Sequence, residues 1–201
     1  MINTGVDDVT RRWTLRLVAG LAAGAVVLSG CSERQEASDI LPQADASPSA
    51  TEAELPPLGP PDLPMPAEAR TQDAAGAEAF VRYYIDLINR TSTVMDAAPL
   101  REFSDSCAEC NRLATNTEID AAAGRDYEDG AITVTEVAAP LIEDGTAEMA
   151  FRVDQARFTV IEPGGSPGEG GSEAFTNILG GVSLSWDDSR TSWVMTGLTF
   201  G

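Results

Sequence analysis

The apolar residues of this chain change period once, and that change limits the fold more than any other feature. Ala77, Phe80, Val81, Tyr84, Leu87 and Ile88 recur at helical spacing and fall on one stripe. A helix over about 74–93 follows, with Asp73 placed as its N-cap. A short second helix is expected over about 98–103, with Pro99 in its first turn, and a third over about 109–123, stopped by Gly124. After Gly124 the period becomes two. Ile132, Val134, Glu136 and Ala138 alternate with Thr133, Thr135 and Val137. Ala147, Met149, Phe151 and Val153 alternate with Glu148, Ala150, Arg152 and Asp154, the cleanest strand signal in the chain. Phe158 and Val160 continue on the opposite parity, so a bulge or bend is expected near 154–156. Two last strands, 175–186 and 193–200, flank a turn at 187–192, and Trp186 faces Trp193 across that hairpin. Helices followed by strands give segregated layers. The fold class is α+β, with N-terminal helices packed on one curved antiparallel sheet of about four strands.

The chemistry open to the chain is narrow. It has no histidine, which removes the commonest general base and metal ligand. Ser-His-Asp and Cys-His catalysis are excluded within these residues. Three cysteines cannot complete a four-cysteine zinc site. The formal charge is -19, with +1 on residues 1–30 and -20 on the rest. Such a surface repels nucleic acid, so no nucleic-acid partner is expected, and no cofactor.

The first 73 residues read as address and tether. Arg11, Arg12 and Arg16 precede an apolar run from Leu17 to Leu28, which is too short for a span of about twenty residues. Residues 1–30 therefore read as a signal peptide. Thr10-Arg11-Arg12-Trp13-Thr14-Leu15 resembles a twin-arginine motif, with Thr14 departing from the usual apolar residue, so the export route stays open. Leu28-Ser29-Gly30-Cys31 resembles a bacterial lipobox. The resemblance implies a lipidated Cys31, a membrane partner through that lipid, and a lipid-anchored location on the extracytoplasmic face of the cell membrane. Residues 31–73 hold eight of the twelve prolines and no aromatic residue. They read as a disordered, partly polyproline tether, leaving 74–201 as the domain.

Two further resemblances carry expectations. The order of elements and the closing Trp-turn-Trp-x-Met hairpin resemble the cone-shaped fold of nuclear transport factor 2-like domains. Ala77-Glu78-Ala79-Phe80-Val81-Arg82-Tyr83-Tyr84, then Pro99-Leu100, Ser104-Asp105 and Cys107-Ala108-Glu109-Cys110, resemble an actinobacterial lipoprotein family with a domain of unknown function. That family implies an envelope location and no reaction.

Candidate site residues are few. Cys107 and Cys110 are expected to form a structural disulfide at the start of the third helix, because Asp105 and Glu109 beside them disfavour a reactive thiolate. Tyr84, Tyr127 and Trp186 are the expected lining of a ligand pocket. Tyr83 and Asp86 complete the set of groups that acid–base chemistry would need. The glycine-rich stretch 164–171 lacks a Gly-Lys-Ser/Thr end and is expected to be a hairpin loop. The acidic runs at 126–129 and 187–188 are expected as turns and solvated edges. The leading functional expectation is a non-enzymatic envelope lipoprotein whose domain binds a protein partner or a small apolar ligand. The alternatives are an enzyme or carrier using the cone's pocket, and a structural spacer.

Overall fold

The computed structural model describes residues 55–201. The expectations for Cys31, for the leader and for the tether as far as residue 54 lie outside these residues.

Three helices form where the patterning places them. Helix α1 is Ala74–Val94, and the Asp73 carboxylate caps it by accepting from the Gly76 N–H at 2.7 Å. Its expected stripe is buried, and Tyr83 beside the stripe is buried as well. The helix ends at Met95 in the left-handed region, where the Met95 N–H returns to the Thr91 carbonyl. Helix α2 is Ala98–Glu102, with Pro99 in its first turn. Helix α3 is Ala108–Ala122 and is followed by Gly124 at φ +70°.

Eight strands follow, in two antiparallel sheets rather than one sheet of about four. Strands β2 (Ile132–Val137), β4 (Thr146–Gln155), β7 (Phe175–Asp187) and β8 (Ser192–Phe200) lie in that order, and β3 (Leu141–Glu143) also pairs with β4. A separate three-stranded sheet runs β1 (Asp126–Asp129), β5 (Phe158–Ile161), β6 (Pro167–Ser172). The parity change at Phe158 is thus the point where the chain leaves one sheet for another. The acidic run 126–129 is a strand, because its backbone pairs with β5 from Asp126↔Ile161 to Asp129↔Phe158. The glycine-rich stretch is largely strand β6, not a loop. It shows no side-chain alternation because its contribution is backbone pairing. At Gly171 (φ +101°) a Cβ would meet the Phe158 carbonyl oxygen at 2.4 Å, so only glycine can lie so close to β5.

The core lies between α1 and the larger sheet. Ala147, Met149, Phe151 and Val153 of β4 point into it, as their alternation requires. Gly180 of β7 makes room for Phe151, whose ring lies 2.3 Å from where a Cβ would stand. Trp186 and Trp193 oppose each other in register, edge to face at 5.4 Å. The assembly is open, an α+β domain rather than a closed barrel.

The proline-rich segment is not a free spacer as far as residue 73. From Leu58 onward it is packed on the domain, with Met65 and Ala69 in the core and Leu58 and Leu63 against it. The segment is folded rather than extended: Leu63 N–H donates to the Pro60 carbonyl and Met65 N–H to the Leu58 carbonyl, and Ala67–Arg70 forms a short 3-10 helix that packs on α1. Polar ties hold the strap in place. The Tyr83 hydroxyl donates to the Leu63 carbonyl at 3.3 Å, the Trp193 indole N–H to Thr71 O at 2.9 Å, and Arg90 pairs with Asp62 at 2.8 Å.

Candidate functional site

Helix α3 roofs a cleft. On one side the C-terminal turns of α1 and the small sheet form a chamber of about 380 Å³. Ile88, Leu113, Ile132, Phe158 and Val160 supply its apolar wall, and Gly170 and Gly171 of β6 its open side. On the other side a second chamber, about 440 Å³, lies between α3 and the end of the larger sheet, against Val153, Ile178, Leu198 and Phe200. Both chambers share Arg112, Leu113, Ile132 and Gln155. Such volumes, with walls that mix apolar side chains and polar groups such as Asn116, Thr117 and Gln155, fit small-molecule sites.

Local chemistry fixes each wall. Cys107 and Cys110 form the expected disulfide at the first turn of α3, and both are buried. The Cys107 sulfur also accepts from the Cys110 N–H, so the bridge serves as the helix cap. Asn89 clamps α1 to β2 by donating to the Ile132 carbonyl and accepting from its N–H, each at 2.8 Å. The small sheet is latched to α3 through Asp120. Its carboxylate accepts from the Tyr127 hydroxyl at 2.5 Å and from Arg125 at 3.2 Å, and Arg125 reaches Glu162 at 2.9 Å. Burial, and then the Asp120 carboxylate beside it, hold the Tyr127 phenol well above its ordinary range, so it stays a neutral donor. Arg112 is forked against Glu109 one turn earlier on α3.

The three expected pocket residues do not converge. Tyr127 lines the first chamber. Tyr84 does not: it sits at the centre of the α1 stripe, fully buried, with its hydroxyl donated to Leu100 O at 3.0 Å. Burial pushes its phenol up to about 12. Trp186 is at the other end of the larger sheet, beside the β7–β8 turn, where its N–H donates to Asp188 at 3.0 Å. Asp86 is exposed on α1, outside the cleft. The residues missed were Leu113, Phe158, Val160 and Gln155; the parity change at Phe158 was their one available signal. Among the described residues no cluster is placed to hold a metal ion, and no helix is long and apolar enough to cross a membrane.

Fold and cleft together define an open α+β domain with a partly apolar cleft under its third helix. The chain belongs to a family of unknown function, DUF6318, which it matches over residues 50–198. No curated protein sequence matches it. Several solved structures are similar to it. The intermembrane-space region of the chloroplast protein ARC6 is 12% identical, with a TM-score of 0.48 over 64% of this chain and 95% of that one. A nuclear transport factor 2-like superfamily protein from Salmonella enterica serovar Typhimurium is 10% identical, with a TM-score of 0.41 over 64% and 92%. A domain of unknown function with a cystatin-like fold from Nostoc punctiforme is 19% identical, with a TM-score of 0.33 over 62% and 76%.

Proposed function

We propose that this chain is a cell-envelope lipoprotein whose domain binds a small apolar ligand without transforming it. The observation that carries the reading is the pair of neighbouring chambers under α3, which share Leu113 and Ile132 in their walls. The binding reading is favoured over the enzymatic one because Asp120, the carboxylate beside Tyr127, is already engaged by Tyr127 and Arg125. The envelope reading rests on the lipobox-like Leu28-Ser29-Gly30-Cys31 and the apolar run before it.

The geometry of the domain suits a tethered binder. Its described chain begins beside the β7–β8 turn, where Arg70 donates to Pro56 O at 2.5 Å and to Arg190 O at 3.0 Å. Helix α1 leads away from that end, and its 21 residues cover about 30 Å before the cleft. The described chain thus enters the domain at the end opposite the cleft.

Native mass spectrometry of the mature lipoprotein, extracted from its own envelope, tests the reading. The expected result is a reproducible added mass, beyond the acyl chains on Cys31, that disappears in Leu113→Trp, which fills the cleft. A bare polypeptide in every preparation overturns it.

A further inference from the structure

The cleft has a charge as well as a shape, and the charge narrows the ligand. Most of the ionised groups that face it cancel in pairs. Arg112 is forked with Glu109, and Asp120 is met by Arg125. Glu169 of β6 lines the first chamber and has no ion-pair partner among the described residues. Two helices end at this chamber. Ile88, Thr91 and Ser92 belong to the last turns of α1, and Ile119 and Asp120 to the last turn of α3. Helix C-termini carry partial negative charge, so both add to the field of Glu169. Tyr127 and Phe158 stack edge to face at 4.8 Å in the same wall, and aromatic faces attract cations. Gly170 and Gly171 beside them carry no side chain to cover those rings.

Taking the cleft as the binding site proposed above, we propose that its ligand is an elongated amphiphile with a cationic head. The head sits in the first chamber between Glu169 and the Tyr127–Phe158 pair. The apolar body runs past Leu113 and Ile132 into the second chamber, against Ile178, Leu198 and Phe200. An anionic head meets an uncompensated carboxylate and two helix C-termini there, in a chain whose formal charge is -19. The same apolar body with a carboxylate or phosphate head is therefore disfavoured.

Calorimetric titration of the whole mature chain, carrying Cys31→Ser to avoid detergent, tests this with three probes of equal chain length. These are dodecyltrimethylammonium, dodecanol and dodecanoate, each kept below micelle formation. The ammonium probe is expected to bind about tenfold or more tightly than dodecanoate, with the margin shrinking as salt is raised. Glu169→Gln, an exposed substitution, is expected to cut that preference to about threefold or less. Dodecanoate binding as tightly as the ammonium probe overturns the cationic head and leaves the apolar cleft standing. An unchanged preference in Glu169→Gln overturns the placement of the head. Binding of none of the three overturns the cleft itself.

Discussion

The strap gives the sharpest stability test, because the patterning of residues 31–73 alone leads one to expect no effect there. Met65 lies nearly 130 residues before its neighbour Ser192, whose hydroxyl reaches its sulfur at 3.4 Å, and only 7% of it is exposed. Truncating a buried methionine to alanine costs about 2–5 kcal/mol, as lost transfer energy plus the cavity left behind. The strap lies at the edge of the core and can partly collapse into the gap, so the lower end of that range, about 2–3 kcal/mol, is expected for Met65→Ala. In a domain of about 150 residues that lowers Tm by roughly 5–10 °C. Urea and thermal unfolding of the purified protein, followed by circular dichroism, would show it. Glu68→Ala, exposed on the same strap, is the control and should stay within about 0.5 kcal/mol of the parent. If Met65→Ala is as silent as Glu68→Ala, the strap is a tether after all and the packing argued here is refuted.

Three further outcomes are expected. Replacing both bridge cysteines, Cys107→Ser with Cys110→Ser, removes a four-residue loop constraint and should cost about 2 kcal/mol, or roughly 4–8 °C in Tm; an unchanged Tm counts against the bridge as a staple of α3. Gly180→Ala puts a Cβ 2.3 Å from the Phe151 ring and should destabilise by more than about 1 kcal/mol in urea, where a neutral result would contradict the packing of β7 on β4. Tyr83, Tyr84 and Tyr127 are the chain's three tyrosines, and all three phenols are held above the ordinary value of 10.0, chiefly by burial. Folding favours their neutral form, so this stabilisation is complete below about pH 10 and is lost as pH rises through the folded values, about 12 for Tyr84. Ultraviolet difference absorbance should therefore show phenol ionisation only together with alkaline unfolding; a native-state step at the ordinary phenol value would contradict the burial.

Local chemistry was legible in the sequence, and distant pairing was not. Asp73 caps α1, Pro99 opens α2 and Gly124 follows α3, because each depends on residues within one turn. The alternation of Ala147 to Val153 and the facing of Trp186 and Trp193 were also visible, since the faces of a strand follow from period two. The small sheet was hidden. It joins Asp126 to Ile161 and Phe158 to Ser172, and half of its third strand is glycine. The strap was hidden for a related reason: its prolines and acidic residues read as disorder, while the four apolar side chains Leu58, Leu63, Met65 and Ala69 and the donors Tyr83, Arg90 and Trp193 far along the chain hold it. The cleft combines these blind spots. Its walls come from the end of α1, the middle of α3 and both sheets, so Tyr127 was found and Tyr84 was misplaced.

The cleft under α3 is tested most directly by photolabelling the purified protein with an alkyl diazirine and mapping the modified peptides. Label on α3 around Leu113 and on β5 around Phe158 and Val160, displaced by dodecanol, is the expected result. Label confined to exposed apolar residues such as Leu141 of β3, or label that dodecanol does not displace, would contradict it.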